Sequence, residues 1–362
     1  MIDFARLSLQ AIFDALRVAP LAEDLFGDLG GSNPPIEVLR QRYRSLVAVC
    51  HPDRYRCESP AILAMATETT RMLNALREEA RTKIERGIYG SRQPCNKNPA
   101  ISFSTKNGDY RFYEKLFEGK IVDLYLGETY CKNGQNLRVV AKIARSEADN
   151  DLLQREMAIF KQFEDPRYPL VFDKVSYGKK LGLIMRYSEG VDLATLRQQR
   201  HSGLEPKHVA WIILTALFSL GNLHSKNVIH GSIAPNNTIL DLTSRKIYFC
   251  DFFFAVANPK TGEKISGACK DYSAPEVYRK EKPSPAMDIY SIGQIAINLL
   301  GGDCAKKTFP LIVPQKMREL ITRMVEDDAR KRFDDAWRLC ERWDLMCEGL
   351  FGTGYREAAW AA

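Results

Sequence analysis

The chemistry legible in this sequence begins with four side chains near the middle of the chain. Val228-Ile229 leads into His230-Gly231-Ser232, and a polar loop then runs to Asn237. A second apolar stretch follows, and Ile247-Tyr248-Phe249-Cys250 ends at Asp251. Asn237 and Asp251 are hard oxygen donors of the kind that Mg²⁺ takes. Ser232 precedes both in the chain, and a serine hydroxyl does not accept a proton at neutral pH as a carboxylate does. Upstream, residues 137–143 read as a strand with one inward lysine, Lys142, and the helical stretch 152–160 carries Glu156. Close to the N-terminus, His51-Pro52-Asp53-Arg54 follows a segment rich in arginine.

The elements that hold these residues follow from apolar periodicity. Phe4, Leu7, Ile12 and Leu16 fall on one face, so residues 3–17 are expected to form an amphipathic helix within an N-terminal segment 1–19. A short acidic helical stretch spans 21–29. Ser32 or Asn33 offers a cap and Pro34-Pro35 a first turn for a helix over 36–50. Its apolar positions are Leu39, Tyr43, Leu46 and Cys50, with Arg40 and Arg44 on another face. The helix must end at His51, because Pro52 forces the preceding residue out of helical geometry. A longer helix over 61–86 presents Ile62, Ala66, Thr69, Leu73, Leu76 and Ala80.

Tyr43-Arg44-Ser45-Leu46, His51-Pro52-Asp53-Arg54 and Leu73-Asn74-Ala75, at this register, make residues 20–86 resemble a J-domain. The resemblance implies a DnaK-type heat-shock chaperone as partner, its ATP hydrolysis stimulated through His51, Pro52 and Asp53. Arg40, Arg44 and Arg54 would complete the contact. The charge distribution suits an acidic partner. Residues 36–56 carry five arginines against Glu37 and Asp53, whereas residues 1–35 carry two against five acids. A solvated basic face and a structural turn are the plain alternative. The Gly/Phe-rich linker and cysteine repeats of the DnaJ architecture are absent from the sequence.

Residues 87–108 contain Gly90, Ser91, Pro94 and Pro99 without helical or strand period and are expected to be a linker. From residue 109 to about 347 the chain resembles a protein kinase, with a small lobe to about 188. Its His-Arg-Asp-x-x-x-x-Asn motif stands here as His230-Gly231-Ser232 with Asn237, and its Asp-Phe-Gly as Asp251-Phe252-Phe253. The resemblance implies that Asn237 and Asp251 hold Mg²⁺, that Lys142 contacts the α- and β-phosphates of ATP, and that Glu156 pairs with Lys142. It also shows what is missing. Ser232 replaces the catalytic Asp and Ala234 the lysine two residues on. Only Gly119 survives of the glycine-rich loop at 115–127, with Phe117 and Val122 in the other two places. Met185 would guard the back of the adenine pocket, with Arg186 beside it at the hinge. Tyr272-Ser273-Ala274-Pro275-Glu276, the stretch from Asp288 to Gly293, and Asp328 to Phe333 match the motifs that stabilise the large lobe. They imply a buried Glu276–Arg332 pair and an anchoring role for Asp288. The tail 348–362 has no assigned place.

The fold expected is therefore an α-helical J-domain followed by an α+β bilobal kinase-like domain. The 362 residues and 45% hydrophobic content are ample for two cores. Nine scattered cysteines without a Cys-x-x-Cys argue against zinc or a disulfide framework and for a reducing, cytoplasmic setting. Nothing suggests haem. The N-terminus lacks a signal peptide, and the longest apolar run, 209–220, falls short of the roughly 20 residues that cross a bilayer. A net charge of +7 is spread too evenly for a nucleic-acid footprint. The function expected is a J-domain co-chaperone carrying a pseudokinase that recognises a client protein or senses nucleotide. An active atypical kinase or nucleotidyltransferase carrying a J-domain is the alternative, and a non-enzymatic scaffold the third reading.

Overall fold

A computed structural model describes residues 8–18, 22–30, 34–56, 58–85, 89, 98–130, 136–162, 170–188, 190–241 and 245–357. The chain divides into two compact units, one of residues 1–147 with 170–188 and one of residues 148–169 with 189–362.

The first unit opens with four helices: α1 (Leu9–Val18), α2 (Ala22–Phe26), α3 (Pro35–Cys50) and α4 (Pro60–Glu85). Their buried side chains form one core, in which Ile12 and Leu16 of α1 join Phe26, Leu39, Leu46, Cys50, Leu73 and Ala80. The N-terminal helix is thus part of this helical module, and the boundary expected at residue 19 does not separate two cores. Phe4 and Leu7 lie outside the described residues. The N-cap position of α3 falls on Pro34, not on Ser32 or Asn33, and Pro35 supplies the first turn. His51 is extended at ψ 131° and ends the helix. Lys83 ties α4 to α2 through Glu23 at 2.8 Å and meets Glu79 at 2.6 Å.

Six strands complete this unit: β1 (Ile101–Ser104), β2 (Asp109–Glu118), β3 (Val122–Tyr130), β4 (Asn136–Ala144), β5 (Val171–Tyr177) and β6 (Lys180–Arg186). They form one antiparallel sheet in the order β1-β2-β3-β4-β6-β5. β1 pairs Ile101 with Phe112, so the sheet begins inside the segment expected to be a linker, which ends near residue 100 rather than 108. Phe112, Val139, Ala141 and Ile184 fill the core of the sheet.

The second unit contains α5 (Asn150–Phe160), β7 (Val191–Asp192), α6 (Leu193–Gln198) and α7 (Pro206–Ser225). The short strands β8 (Val228–Ile229), β9 (Thr238–Asp241), β10 (Lys246–Phe249) and β11 (Val256–Ala257) follow, and then α8 (Pro275–Tyr278), α9 (Pro285–Leu299), α10 (Gln315–Met324) and α11 (Ala336–Phe351). α5, expected with the small lobe, groups with this larger unit. α9 is buried on almost every face, as an apolar helix without a polar stripe must be. Trp343 of α11 is fully buried, and its indole N–H donates to the Ala210 carbonyl of α7 at 2.8 Å. The tail, which the sequence left unplaced, is partly described. α11 continues to Phe351, and beyond it Tyr355 is fully buried, while Arg356 pairs with Asp344 and Glu348 at 2.6 and 2.5 Å. Residues 348–357 therefore belong to the fold, and Trp360 lies outside the described residues. Among the described residues no helix is long and apolar enough to cross a membrane.

Candidate functional site

The hairpin β9–β10 places the two oxygen donors. Thr238 pairs with Phe249, and the Cys250 amide donates to the Asn237 carbonyl at 2.9 Å. Asn237 and Asp251 are thereby brought to the same open end of the hairpin. Asn237 also braces the loop before it. Its Oδ1 accepts from the Ala234 amide and its Nδ2 donates to the Ser232 carbonyl, both at 2.7 Å. Asp251 adopts a left-handed conformation, φ 61° and ψ 57°, which costs a non-glycine residue about 1–3 kcal/mol unless its surroundings impose it. Here they do. Phe252 is fully buried, and its amide donates to Glu156 Oε1 at 3.0 Å. The Phe252 ring stacks edge-on with Phe160 of α5 at 5.1 Å and tilts over His230 at 4.4 Å. Phe253, in the position of the family's glycine, is buried as well.

His230 defines what Ser232 can do. Its Nε2 lies 3.0 Å from the Cys250 carbonyl, an obligate acceptor, so Nε2 carries the proton and Nδ1 is left to accept. The Ser232 hydroxyl meets that Nδ1 at 3.4 Å. The hydroxyl is buried and directed inward, and no carboxylate takes its place. Ala234 is buried too and offers no charge to a transferring phosphoryl group. Gly231 stands at φ 76°, where a side chain would strain the backbone and strike Ile265 Cδ1 at 2.8 Å. Ile265 and Cys269 are two neighbours that the sequence motifs did not flag. The Cys269 thiol donates to the Ser232 carbonyl at 3.4 Å, and burial, with the nearby Asp251 carboxylate, pushes it above the ordinary thiol range.

Asp288 of α9 anchors the loop from below. Its carboxylate is fully buried and accepts from the His230 and Gly231 amides, each at 2.8 Å, and it meets His224 Nε2 at 3.0 Å. Arg332 donates to both oxygens of Glu276 at 2.6 Å, with both side chains almost fully buried. Arg332 also donates to the Ala286 and Glu326 carbonyls, so the buried guanidinium is solvated by protein.

In the first unit, Lys142 stands on β4 between Leu124 of β3 and Leu183 of β6 and is 3% exposed. Lys142 belongs to the first unit and Glu156 to the second. The loop between β2 and β3 is closed on itself. The Gly119 amide donates to the Val122 carbonyl at 2.9 Å, and Arg145 Nη1 donates to the Gly119 carbonyl at 2.8 Å. A Cβ on Gly119 would meet the Phe117 ring at 2.6 Å. Lys115 bridges Glu118 and Asp123 at 3.2 and 3.1 Å, and Arg145 joins Glu118 at 3.0 Å. The amide and the carbonyl of the loop's single glycine are therefore both hydrogen-bonded within the first unit. The Asn237 and Asp251 donors do fit Mg²⁺, which is bound through one or two protein oxygens together with phosphates. Among the described residues no group of three or more His, Cys, Asp or Glu is placed to hold a metal by itself.

The helical module presents a second candidate surface. His51 Nδ1 accepts from the Asp53 amide at 3.3 Å, and the Asp53 carboxylate is bound by Arg56 at 2.7 Å. Arg54 donates to the Ala48 carbonyl at 2.6 Å, and Tyr55 to the Val49 carbonyl at 2.9 Å, folding the loop back onto the end of α3. Pro52 sits at the first position of the short 3-10 turn. Arg40 and Arg44 are exposed on α3, while Tyr43 between them bonds Asn74 of α4.

Residues 110–320 match the protein kinase domain family, and the chain belongs to it. Among curated proteins it is similar to the serine/threonine-protein kinase CLA4 of Candida albicans, at 24% identity over 54% of this chain and 20% of that one. It is similar to the SNF-related serine/threonine-protein kinase of Homo sapiens, at 24% identity over 61% of this chain and 33% of that one. It also resembles the serine/threonine-protein kinase PkaB of Streptomyces coelicolor, at 28% identity over 53% and 48%. The chain thus spans between a fifth and about half of these relatives' lengths. No family covers residues 1–109.

Proposed function

We propose that the protein is a J-domain co-chaperone whose kinase-like part has lost phosphoryl transfer and serves to recognise a client or respond to nucleotide. The observation carrying the co-chaperone reading is the His51-Pro52-Asp53 turn at the end of α3, beside exposed Arg40 and Arg44. A DnaK-type chaperone is the partner of matching chemistry. The loss of transfer is supported by the buried Ser232 hydroxyl on His230 and by Phe117 and Val122 in place of two loop glycines. A positioned general base is worth roughly 10²–10⁴ in rate, and here the base, the adjacent lysine and two of the loop's three glycines are absent together. His51→Gln is expected to abolish stimulation of the chaperone's ATPase while the thermal melt is unchanged. Stimulation equal to wild type would overturn the co-chaperone reading.

A second reading is favoured by the relatives, which are serine/threonine kinases, and by the retained Lys142, Glu156, Asn237 and Asp251. On this reading the chain binds ATP with Mg²⁺ and transfers a phosphoryl or nucleotidyl group slowly. Phosphoryl transfer depends mostly on positioning and charge stabilisation, so some rate survives the loss of a base. Label transfer from ATP that disappears in Asp251→Asn would establish it. Thermal unfolding separates mere binding from both, since ligand at a hundred times its Kd adds about 2.7 kcal/mol. A Mg²⁺-dependent shift lost in Asp251→Asn, without label transfer, would identify a nucleotide sensor.

A further inference from the structure

The loop between α9 and α10 carries the most exposed aliphatic pair among the described residues. Pro310 and Pro314 bracket Leu311, Ile312 and Val313, and the Val313 amide donates to the Pro310 carbonyl at 3.1 Å, closing a turn. Val313 is fully buried beneath it, whereas Leu311 is 93% and Ile312 73% exposed. Two prolines and a buried anchor give the turn little freedom to fold its aliphatics inward. The exposed pair is therefore held outward in advance of any contact, which lowers the ordering cost of binding.

Beside the turn lies an open groove of about 850 Å³, and Phe309 and Gln315, the residues flanking the two prolines, both line it. Four cations line the groove, Lys307, Arg318, Arg323 and Lys331, against Glu319 and Glu326. Lys307 is held by Asp327 at 2.7 Å, and Glu319 accepts from Gln315 at 2.9 Å. Arg318 Nε is buried with no hydrogen-bond partner among the described residues. Arg323 stacks on Phe333 at 4.3 Å, which fixes its guanidinium while leaving its edge exposed. The groove has an excess of cations, an unmet donor and a rigid apolar prominence at one rim.

We propose that this face of the large unit docks an acidic protein segment carrying aliphatic residues. Its carboxylates would meet Arg318, Arg323 and Lys331, and its aliphatic side chains would cover Leu311, Ile312 and Phe309. Arginine next to a preformed apolar contact is the combination on which protein interfaces concentrate their binding energy, and the cationic excess selects the acidic partner. The proposal stands apart from the question of phosphoryl transfer, since none of these residues belongs to the candidate site.

The test uses the full chain and a fluorescein-labelled 16-residue peptide of repeated Glu-Glu-Leu-Leu, followed by anisotropy. Arg40→Glu with Arg44→Glu serves as background, so that the basic face of α3 does not contribute. Saturable binding is expected there, weakened at least tenfold by Leu311→Ser with Ile312→Ser and, separately, by Arg323→Glu with Lys331→Glu. All four side chains are surface groups, and an unchanged thermal melt checks that each variant folds; the single Arg323→Gln replaces any that does not. Absence of saturable binding, or equal affinity in either double variant, would overturn the proposal. So would equal binding of a Lys-Lys-Leu-Leu peptide. A 16-nucleotide DNA strand that binds as tightly and ignores Leu311→Ser with Ile312→Ser would make the face a general polyanion surface and overturn it as well.

Discussion

The Cys269 thiol donates to the Ser232 carbonyl at 3.4 Å, and so couples the segment before α8 to the loop that would carry catalysis. The thiol is half-buried, and its pKa is raised by desolvation first and then by the Asp251 carboxylate. A thiol held protonated is a poor nucleophile, because the thiolate is the reactive form. At pH 7.5 the alkylation of Cys269 by iodoacetamide, followed by peptide mass spectrometry, is expected to run slower than in the urea-unfolded chain. Asp251→Asn removes the second cause and should accelerate it. Equal rates in wild type and Asp251→Asn would mean that the carboxylate does not act on this thiol.

Glu276 and Arg332 make a buried bidentate pair with both charges out of water. Removing one partner leaves the other charge uncompensated, which costs about 3–5 kcal/mol. Glu276→Gln and Arg332→Met are each expected to lower the urea midpoint of the large unit accordingly. The double replacement Glu276→Met with Arg332→Leu should recover part of the loss, because an apolar pair removes both charges' desolvation penalties while the Ala286 and Glu326 carbonyls lose their donor. A double variant as unstable as the worse single one would show that the pair's geometry, rather than its charge balance, holds this corner.

These two cases also show what the sequence could tell. The kinase family was legible because its motifs combine apolar runs with polar residues at fixed spacing, and those spacings follow strand and helix lengths. His230, Asn237 and Asp251 reach one end of the β9–β10 hairpin for that reason. Ile265 and Cys269 were not legible, since they approach the loop from more than thirty residues away and only the fold sets their register. β1 was hidden in a stretch read as linker. A four-residue strand next to Ser, Thr, Asn and Gly shows too few alternations to stand out, and only pairing with β2 defines it. The closure of Gly119 by Val122 and Arg145 was equally invisible, because it depends on side-chain geometry around a turn.

Asp288 accepts two buried backbone amides, those of His230 and Gly231, while also meeting His224. An unsatisfied buried donor costs about 1–3 kcal/mol. Asp288→Ala leaves both amides without this acceptor and is expected to destabilise the large unit by about 3 kcal/mol or more. Amide hydrogen exchange gives the site-specific readout. His230 and Gly231 should lose protection well beyond β8 and α7. Uniform loss across the unit would mean that Asp288 supports the core generally rather than the loop.

The large unit should also weaken in alkali through its buried thiols. Burial pushes Cys347 from an ordinary 9.0 to about 12, and Cys304 and Cys340 to about 11. A thiol whose pKa is raised on folding stabilises the protein fully below the unfolded value. That contribution disappears as pH rises, because the unfolded chain ionises first. The window therefore opens near pH 9 and closes for Cys347 near pH 12. Within it each such thiol changes stability by at most about 1.4 kcal/mol per pH unit. Cys347→Ala is expected to lower stability at pH 7, where a packed side chain is lost, and yet to fall less steeply between pH 9 and 10.5. Urea midpoints at pH 7, 9 and 10.5 measure both effects. Parallel pH slopes in wild type and variant would show that Cys347 ionises on unfolding no more readily than in the folded core.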